Sequence, residues 1–485
     1  MTFGAWLLVA LLNVQTQPID DVVGAWQGTL EHNGETRDVI VEFARVRERV
    51  WLIFSTPSIH AWRFPIAPAE MSGRRVTAGP VVFEFDPAAQ TLTTTLPAEL
   101  VPKYSLRAIF HRRAEAVAAG ERPAIDAPRR EPRWTLDVGA PIWADVAVGD
   151  GLVVAGADDG RLHAVDAVTG RERWSFKAGG AIRARASFVG ADVVVQADDG
   201  VLYRLDGRTG VPRWRATIAA PTRRLALDDP ASRYENRASA VAAASGRLYV
   251  GTHEGRILAM DAREGTIIWQ FKTSDAIVAT PVLAHGRVYC GSFDGSVYAL
   301  DASSGALAWK HDTGGPVTSA VAVSGRTVLA GSRSFDFEAL DAATGTGIWT
   351  NYFWFTWVES PATAVKSVAY VGSSDGGTVS AIDATGRSTW KTDVQGSAWG
   401  QPAVIGATVY EGVAGVLHYI APHRGSLVAL DRTTGKIVWW YPARPSDPAP
   451  KGAAPYGFAG SVAVGNGLVF AGGLDGVLYA FAAGR

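Results

Sequence analysis

The chain has 485 residues, of which 47% are hydrophobic and 19% charged, and its formal net charge is −1. This composition is typical of a folded globular protein and excludes a disordered or collagen-like chain. Because a phosphate-binding surface usually carries a basic excess, the balanced charge argues against nucleic-acid binding. The single cysteine, Cys290, excludes an intrachain disulfide, a Cys-x-x-Cys zinc site and a Cys-x-x-Cys-His haem attachment.

An apolar run from Gly4 to Leu12 lies near the start of the sequence. A helix needs about 20 residues to span a bilayer, so this run predicts no transmembrane span. Its length is typical of the apolar region of a secretory signal, although no basic residue precedes it and no Ala-x-Ala motif follows it. We therefore predict a signal peptide over residues 1–19 and export to the periplasm or the extracellular space; the alternative is a buried first strand.

Residues 20–113 contain short segments in which apolar and polar residues alternate. This period favours β-strands, and their number and spacing predict a small antiparallel β-barrel or sandwich. Residues 114–132 are rich in Ala, Pro and Arg and are predicted to form a linker. The alternating segments are Gly24–Leu30, Asp38–Phe43, Arg49–Phe54, Val81–Phe85 and Leu92–Leu96.

Residues 133–485 repeat one phrase with a period near 40 residues, Asp-Gly-x-Leu-x-x-x-Asp-x-x-Thr-Gly-x-x-x-Trp. Its first copy runs from Asp159 to Trp174. Asp and Gly at these positions favour tight turns, because Asp accepts backbone N–H groups and Gly tolerates a positive φ. The tryptophans that close the copies are Trp174, Trp214, Trp269, Trp309, Trp349, Trp390 and Trp439, separated by 40, 55, 40, 40, 41 and 49 residues.

Each copy contains four short strand-like segments, which together predict a β-propeller. Residues 457–485 supply only three strands, whereas an unmatched strand around Trp134 lies 40 residues before Trp174. We therefore predict an all-β chain with eight four-stranded antiparallel blades, the N-terminal strand completing the last blade and covering its open edge. In the blade that ends at Trp309, the predicted innermost strand is Ala276–Leu283.

The blade phrase Ala-x-Asp-x-x-Thr-Gly-x-x-x-Trp, first seen at Ala164–Trp174, resembles the repeat of pyrroloquinoline-quinone-type propellers. That family includes quinoprotein alcohol dehydrogenases and the propeller subunit of the bacterial outer-membrane protein insertion machinery. For a dehydrogenase, the resemblance implies a quinone at the propeller centre, a calcium ion held by carboxylate and amide oxygens, a base Asp and usually a disulfide between adjacent cysteines. One cysteine cannot form that disulfide, and no segment matches the family's base or metal motif.

We therefore predict an exported, non-catalytic propeller, closer to the assembly type than to the dehydrogenases. It would bind a protein, peptide or other ligand in the cell envelope without a cofactor. The alternative is a quinoprotein-like oxidoreductase that uses pyrroloquinoline quinone with calcium, for which Asp145 and Glu359 are the candidate bases. A third interpretation is that the N-terminal module binds a small apolar ligand while the propeller presents a partner.

The first strand of each blade lies innermost, so aligning these strands predicts the residues of the central channel. The pattern is consistent with an anion- or peptide-binding channel mouth. The alternative is a water-filled channel whose Arg residues pair with Asp145, Glu235 or Glu359. One aligned position holds Asp145, Arg185, Ser239, Thr280, Ser319, Ser360, Gln401 and Ser461, and two residues earlier come Trp143, Arg183, Arg237, Val278, Val317, Val358, Trp399 and Ala459.

Insertions in the repeat are candidate recognition loops, because a rigid scaffold often carries function in its loops. We predict a binding face in which Trp354, Trp357 and Trp399 join the loops Tyr234–Arg237 and His418–Arg424, although blade packing would also explain the aromatic run. His418 and His423 lack a third ligand, so no metal site is predicted. The candidate binding residues are therefore Trp143, Arg183, Arg185, Arg237, Trp354, Trp357, Glu359, Trp399, His418 and His423.

Overall fold

The computed structural model describes residues 19–97, 101, 103–115, 117, 122–225, 236–416, 423–445 and 454–484. The chain divides into two compact units between residues 121 and 122. Residues 1–18 of the predicted signal peptide lie outside the described part. Within the described ranges, no helix is long and apolar enough to cross a membrane.

The first unit is a closed antiparallel barrel, built in the described residues from eight strands in sequence order. The last strand returns to the first and places Phe110 opposite Gly28. A Cβ at Gly28 would lie 2.7 Å from the carbonyl oxygen of Ile109, so closure needs glycine there. The strands are β1 (Gly24–His32), β2 (Glu35–Val46), β3 (Arg49–Thr56), β4 (Ala61–Ser72), β5 (Arg75–Ala78), β6 (Val81–Asp86), β7 (Thr91–Thr95) and β8 (Arg107–Arg113), with short 3-10 turns at Ile19–Val22 and Pro57–Ile59.

Aromatic side chains fill the barrel. Trp26, Phe43, Phe83, Phe85 and Phe110 are each at most 2% exposed. The rings of Phe43 and Phe83 meet edge to face with their centroids 5.5 Å apart, an arrangement that aromatic pairs favour. In its described residues the barrel interior is therefore a packed core, which gives no support to the apolar-ligand interpretation.

The second unit confirms the predicted propeller: its described residues form eight blades of antiparallel strands, each ordered from the inside outward. The closing strand β9 (Trp134–Asp137) comes first in the chain. The first to fourth blades contain, in turn, β10 (Ala147–Gly149), β11 (Leu152–Gly156), β12 (Arg161–Asp166) and β13 (Glu172–Lys177); β14 (Ser187–Val189), β15 (Asp192–Gln196), β16 (Val201–Asp206) and β17 (Pro212–Thr217); β18 (Ala242–Ala244), β19 (Arg247–Gly251), β20 (Arg256–Asp261) and β21 (Ile267–Lys272); and β22 (Val282–Ala284), β23 (Arg287–Gly291), β24 (Ser296–Asp301) and β25 (Leu307–Asp312). The fifth to eighth blades contain, in turn, β26 (Ala322–Ser324), β27 (Thr327–Gly331), β28 (Asp336–Asp341) and β29 (Gly347–Tyr352); β30 (Thr363–Val365), β31 (Val368–Gly372), β32 (Thr378–Ile382) and β33 (Ser388–Asp393); β34 (Ala403–Ile405), β35 (Thr408–Val416), β36 (Ser426–Asp431) and β37 (Ile437–Pro442), with the added β38 (Pro455–Gly457); and β39 (Ala463–Gly465), β40 (Leu468–Gly472) and β41 (Val477–Ala482).

The ring closes as predicted. Strand β9 pairs with β41 and completes the eighth blade, whose order is β39-β40-β41-β9. Trp134 lies opposite Ala480, and Asp137 lies opposite Val477. The seventh blade has one addition, because β38 pairs with the long strand β35.

The innermost strands are shorter than predicted. In the fourth blade, β22 starts at Val282, whereas the sequence predicted a strand from Ala276. The preceding backbone is bonded to turns of two blades: the N–H of Ile277 donates to Thr252 (3.0 Å), and the N–H of Phe293 donates to Ala276 (2.9 Å). Because the strands converge at the axis, these backbone groups find partners in neighbouring turns rather than in a ladder. The channel residues therefore lie in connections between blades.

The repeated residues join each blade to the next. The ring of Trp309 packs on Gly345, whose φ is +75° and whose added Cβ would lie 2.7 Å from that ring. The indole N–H of Trp309 donates to the carbonyl of Ala342 at 3.0 Å. Within the fourth blade, Asp301 accepts the backbone N–H groups of Ser303 (3.0 Å) and Ser304 (2.8 Å) and so holds the turn. The residues that recur in the copies of the repeat therefore have a structural role.

A strap segment, residues 122–133, includes part of the predicted linker and packs on the propeller. The N–H of Trp440 donates to Pro128 (3.1 Å), and the N–H of Arg130 donates to Trp440 (2.9 Å). The Arg130 guanidinium also donates to the carbonyl of Ala482 at 3.1 Å. These bonds attach the strap to the outer strand of the seventh blade and to the eighth blade.

Candidate functional site

The alternation of strand direction gives the propeller two different faces. The turns between the second and third strands, together with the connections from blade to blade, emerge on one face, here called the connection face. The remaining turns emerge on the opposite face, here called the hairpin face. The described candidate residues all lie in segments that begin on the connection face: Trp143, Arg183, Arg185, Arg237, Trp354, Trp357, Glu359, Trp399 and His423. His418, and Tyr234 and Glu235 of the Tyr234–Arg237 loop, lie outside the described residues.

A cavity of about 310 Å³ lies at the centre of the propeller, since residues from several blades around the ring line it. The cavity brings together the predicted cluster of Arg183, Arg185 and Arg237. It thereby unites side chains from the second and third blades with groups across the ring. The polar lining also includes Asp145, Thr280, Thr318, Ser319 and Gln401.

Arg183 is held by a carboxylate that the sequence interpretation did not consider. Its Nε and Nη2 donate to the two oxygens of Asp158 at 2.9 and 2.8 Å. Its guanidinium lies 5.6 Å from the ring centroid of Trp143. Burial raises the pKa of Asp158, although the charge of Arg183 opposes that rise. Asp145, which the sequence suggested as a partner for the arginines, instead accepts the backbone N–H of Ser461 at 2.6 Å.

Arg237 reaches across the channel from the third blade. Its guanidinium donates to the backbone carbonyl of Glu359 at 3.2 Å and to that of Trp399, in the connections that enter the sixth and seventh blades. These acceptors carry no net charge, so they leave the positive charge of Arg237 uncompensated. The predicted pairing with the Glu359 carboxylate is therefore wrong for Arg237. Arg185 is exposed and makes no hydrogen bond or ion pair with the rest of the described chain.

The carboxylate of Glu359 is engaged by Arg333, a residue that sequence reasoning missed. Arg333 Nε donates to Glu359 Oε1 at 2.8 Å, and its guanidinium lies 4.5 Å from the Trp357 ring centroid. The same guanidinium lies 5.3 Å from the centroid of Phe293. Arg333 follows the second strand of its blade, as Asp158 does in the first blade. An alignment of these turn positions would have shown both residues.

The three tryptophans of the predicted binding face differ in exposure. Trp357 and Trp399 are half-buried, and the indole N–H of Trp399 donates to the hydroxyl of Ser374 at 2.9 Å. Trp354 is 2% exposed, and its ring lies 5.1 Å from that of Tyr352. A side chain so buried supplies blade packing, as the alternative interpretation expected. Its predicted place on a binding face is corrected accordingly.

His423 is 2% exposed, which leaves no room for a role as a surface contact. Its Nδ1 lies 3.1 Å from the hydroxyl of Ser397, and its Nε2 lies 3.2 Å from the carbonyl oxygen of Asp375. Burial, reinforced by the charge of Arg122, lowers its pKa to about 4. His423 is therefore a neutral imidazole whose two nitrogens bond within the protein.

Glu411, on β35, is a second residue that sequence reasoning missed. It is fully buried, and neither carboxyl oxygen has a hydrogen-bond partner among the described residues. Burial raises its pKa well above the usual range; Asp145 adds to the rise and Arg237 opposes it. Aligning the second strands would have singled it out, because the equivalent residues are Ala155, Val195, Val250, Cys290, Ala330, Val371 and Ala471.

The lining does not fit a calcium-bound quinone. Calcium takes six to eight oxygen ligands, several of them carboxylates. The described lining supplies the carboxyl group of Asp145, Glu411 is fully buried, and Arg185 and Arg237 place positive charge in the same cavity. Across the described ranges, no group of three or more His, Cys, Asp or Glu side chains is arranged to hold a metal ion.

The known proteins that this chain resembles are consistent with its propeller fold. The family model described as outer membrane protein assembly factor BamB matches residues 120–234, 224–351 and 333–483. BamB from Moraxella catarrhalis is 22% identical, with 58% of this chain and 85% of that chain covered and a TM-score of 0.50. A europium-containing methanol dehydrogenase is 13% identical, with 73% and 93% covered and a TM-score of 0.55. Sqt1 of Saccharomyces cerevisiae is 11% identical, with 74% and 100% covered and a TM-score of 0.57.

At these identities the similarity to solved structures shows the propeller fold alone. A search of curated proteins finds no match to the chain.

Proposed function

Because the chain belongs to the family of the outer membrane protein assembly factor BamB, we propose that it is an exported, non-catalytic scaffold that binds a protein partner in the cell envelope. One observation carries the proposal: half-buried tryptophans and arginines come together on the connection face. Tryptophan and arginine are the side chains that most often anchor protein interfaces. A surface of this composition supports binding without requiring a reaction.

The anchors on this face are held in place. Arg333 lies over Trp357 and bonds to Glu359, while the indole of Trp399 bonds to Ser374. Fixing an aromatic side chain before binding reduces the conformational entropy that is lost in the complex. The connection face therefore offers rigid aromatic anchors to a partner.

The test removes the two half-buried tryptophans together, Trp357→Ala with Trp399→Ala. Anchors of this kind commonly cost about 2 kcal/mol or more on truncation. We expect the double variant to lose a partner that the unaltered protein captures from envelope extracts, while its thermal unfolding temperature stays close to the original. The readout is the amount of one identified partner retained by each variant at equal protein concentration.

The matched control lies on the hairpin face, where Val168 and Val211 are 66% and 61% exposed. Val168→Ala with Val211→Ala should leave capture unchanged. Retention of the partner by the folded tryptophan variant would overturn the proposed face. Equal loss of capture in both double variants would show that the effect is not specific to the connection face.

The alternative, a quinoprotein-like oxidoreductase, has less support. The similarity to a methanol dehydrogenase at 13% identity concerns the fold. The cavity supplies guanidinium groups where calcium would need carboxylates. No reaction step is therefore assigned to this centre.

A further inference from the structure

The central cavity contains positive charge that the proposed scaffold function does not use. Arg185 is exposed in this cavity and makes no bond to the rest of the described chain. Arg237 is fixed by two backbone carbonyls, which leave its charge uncompensated. Arg183, by contrast, is compensated by Asp158. Two guanidinium groups of the described lining thus remain without a carboxylate partner.

Negative charge around the cavity is limited. Asp145 is the acidic residue of the described lining, and its Oδ1 accepts the N–H of Ser461. Glu411 is fully buried and interacts electrostatically with Arg237 and Asp145, and its burial raises its pKa and so favours the uncharged acid. With Arg185 and Arg237 against Asp145, the described lining has a net positive charge. This charge balance favours an anion of low charge.

Hydroxyl groups accompany these charges in the lining. Ser319 lines the cavity and is 3% exposed, yet its hydroxyl has no hydrogen-bond partner among the described residues. A buried polar group without a partner costs free energy, so a side-chain rotation that brings this hydroxyl to a bound ligand oxygen would relieve that cost. Thr280 also lines the cavity, and its hydroxyl accepts the backbone N–H of Ala240 at 3.1 Å.

We propose that this cavity binds a small carboxylate anion, to which Arg185 is the principal hydrogen-bond donor. Arg237 contributes a fixed positive charge, and the Ser319 hydroxyl is an additional donor. A planar carboxylate matches the forked donors of a guanidinium group. A phosphate dianion would be repelled more strongly by Asp145. A cavity of about 310 Å³ is at the small end of ligand sites, which suits a compact anion.

The inference goes beyond the proposed function, since it concerns the channel and needs no protein partner. Loss of partner capture would not alter it, and failure of carboxylate binding would leave the partner experiment intact.

The test is calorimetric titration of the full chain with acetate, propionate, propionamide and inorganic phosphate at constant ionic strength. We expect the monoanions acetate and propionate to bind, with phosphate weaker and the uncharged propionamide undetectable. Arg185→Gln should weaken carboxylate binding about tenfold or more, because it removes a charged hydrogen-bond donor. Arg263→Gln is the matched control: Arg263 is 92% exposed in a turn of the hairpin face, so its loss should leave binding unchanged.

Thermal unfolding keeps the test independent of folding defects. Bound propionate should raise the unfolding temperature of the original protein and of Arg263→Gln, but not that of Arg185→Gln. Ser319→Ala should weaken binding less than Arg185→Gln does. No detectable carboxylate binding, equal binding of propionamide, stronger binding of phosphate, or unchanged affinity in folded Arg185→Gln would each overturn the proposal.

Discussion

At the residue scale, a tryptophan and a glycine join adjacent blades. Trp309 is 7% exposed, packs on Gly345 and donates to Ala342. Large apolar side chains of this kind lose both buried area and packing when truncated. The repeat therefore supplies the same contact at successive blade junctions of one chain, which explains why each copy closes on a tryptophan.

We expect Trp309→Ala to lower the free energy of unfolding by about 3–5 kcal/mol, because it opens a cavity between two blades. Urea unfolding followed by circular dichroism measures the effect. Leu307→Ala in the same strand is the control, since Leu307 is 49% exposed and its truncation should cost little. Equal losses for the two variants would contradict the assigned role of the tryptophan.

The turn aspartates predict a dependence of stability on pH. Hydroxyl donors from Ser303 and Ser304, with the backbone N–H of Ser304, lower the pKa of Asp301 from 3.8 to about 2. Because the folded-state pKa lies below the unfolded-state value, the unfolded chain binds the proton more readily. The contribution of Asp301 is therefore fully present above about pH 4 and is lost as the pH falls towards 2.

Asp301→Asn should consequently destabilise the protein at pH 6, and the difference from the original protein should narrow as the pH falls below 4. Denaturant unfolding of both proteins at a series of pH values measures that difference. A gap that stays constant over the whole series would show that the carboxylate charge does not stabilise this turn.

At the scale of elements, strand β9 and the strap hold the ring together. β9 pairs with β41, and the indole of Trp134 donates to the carbonyl of Ala167 in the first blade at 3.2 Å. Arg130 of the strap donates to Ala482 and Gly484 at the end of the eighth blade. The N-terminal end of the propeller thus supplies both the missing strand and its attachment.

Deletion of residues 130–138 should open the eighth blade and cause aggregation, because it exposes the edge of β41. Thermal unfolding and light scattering measure the two effects. Replacement of the same residues by an equally long Gly-Ser segment preserves chain length but not strand pairing, and it should show the same defect. An unchanged unfolding temperature in either variant would disprove closure by this strand.

At the scale of the whole molecule, the fold is shared with enzymes, whereas the residues at its centre are not those of a calcium-dependent quinoprotein. Arg185 and Arg237 carry positive charge where such a centre needs oxygen ligands. Similarity of fold alone does not establish an enzymatic activity, because function depends on the residues of the site.

We therefore expect the purified protein, supplied with pyrroloquinoline quinone and calcium, to reduce no electron-accepting dye with alcohols or sugars as substrates. A quinoprotein dehydrogenase assayed in parallel serves as the positive control. Cofactor-dependent dye reduction that disappears in Asp145→Asn or Glu359→Gln would establish the oxidoreductase and overturn the scaffold proposal.

The repeat was sufficient to predict the number of blades, the closing strand and the structural role of the tryptophans. Each of these depends on contacts between neighbouring blades, and the residues that make such contacts recur in each copy of the repeat. The pairing of Trp134 with the eighth blade followed from counting strands at the two ends. The cluster of Arg183, Arg185 and Arg237 followed from alignment, because equivalent positions of a propeller meet at its axis.

The partners of those residues depended on the tertiary structure. Arg183 bonds to Asp158, Arg237 crosses the channel to Trp399, and Trp354 turns into the blade junction. Residues 237 and 399 are far apart in sequence and belong to different blades, so no spacing within a repeat predicts their contact. The period of the repeat specifies which residues approach the axis, but side-chain direction, burial and competition between acceptors decide which of them touch.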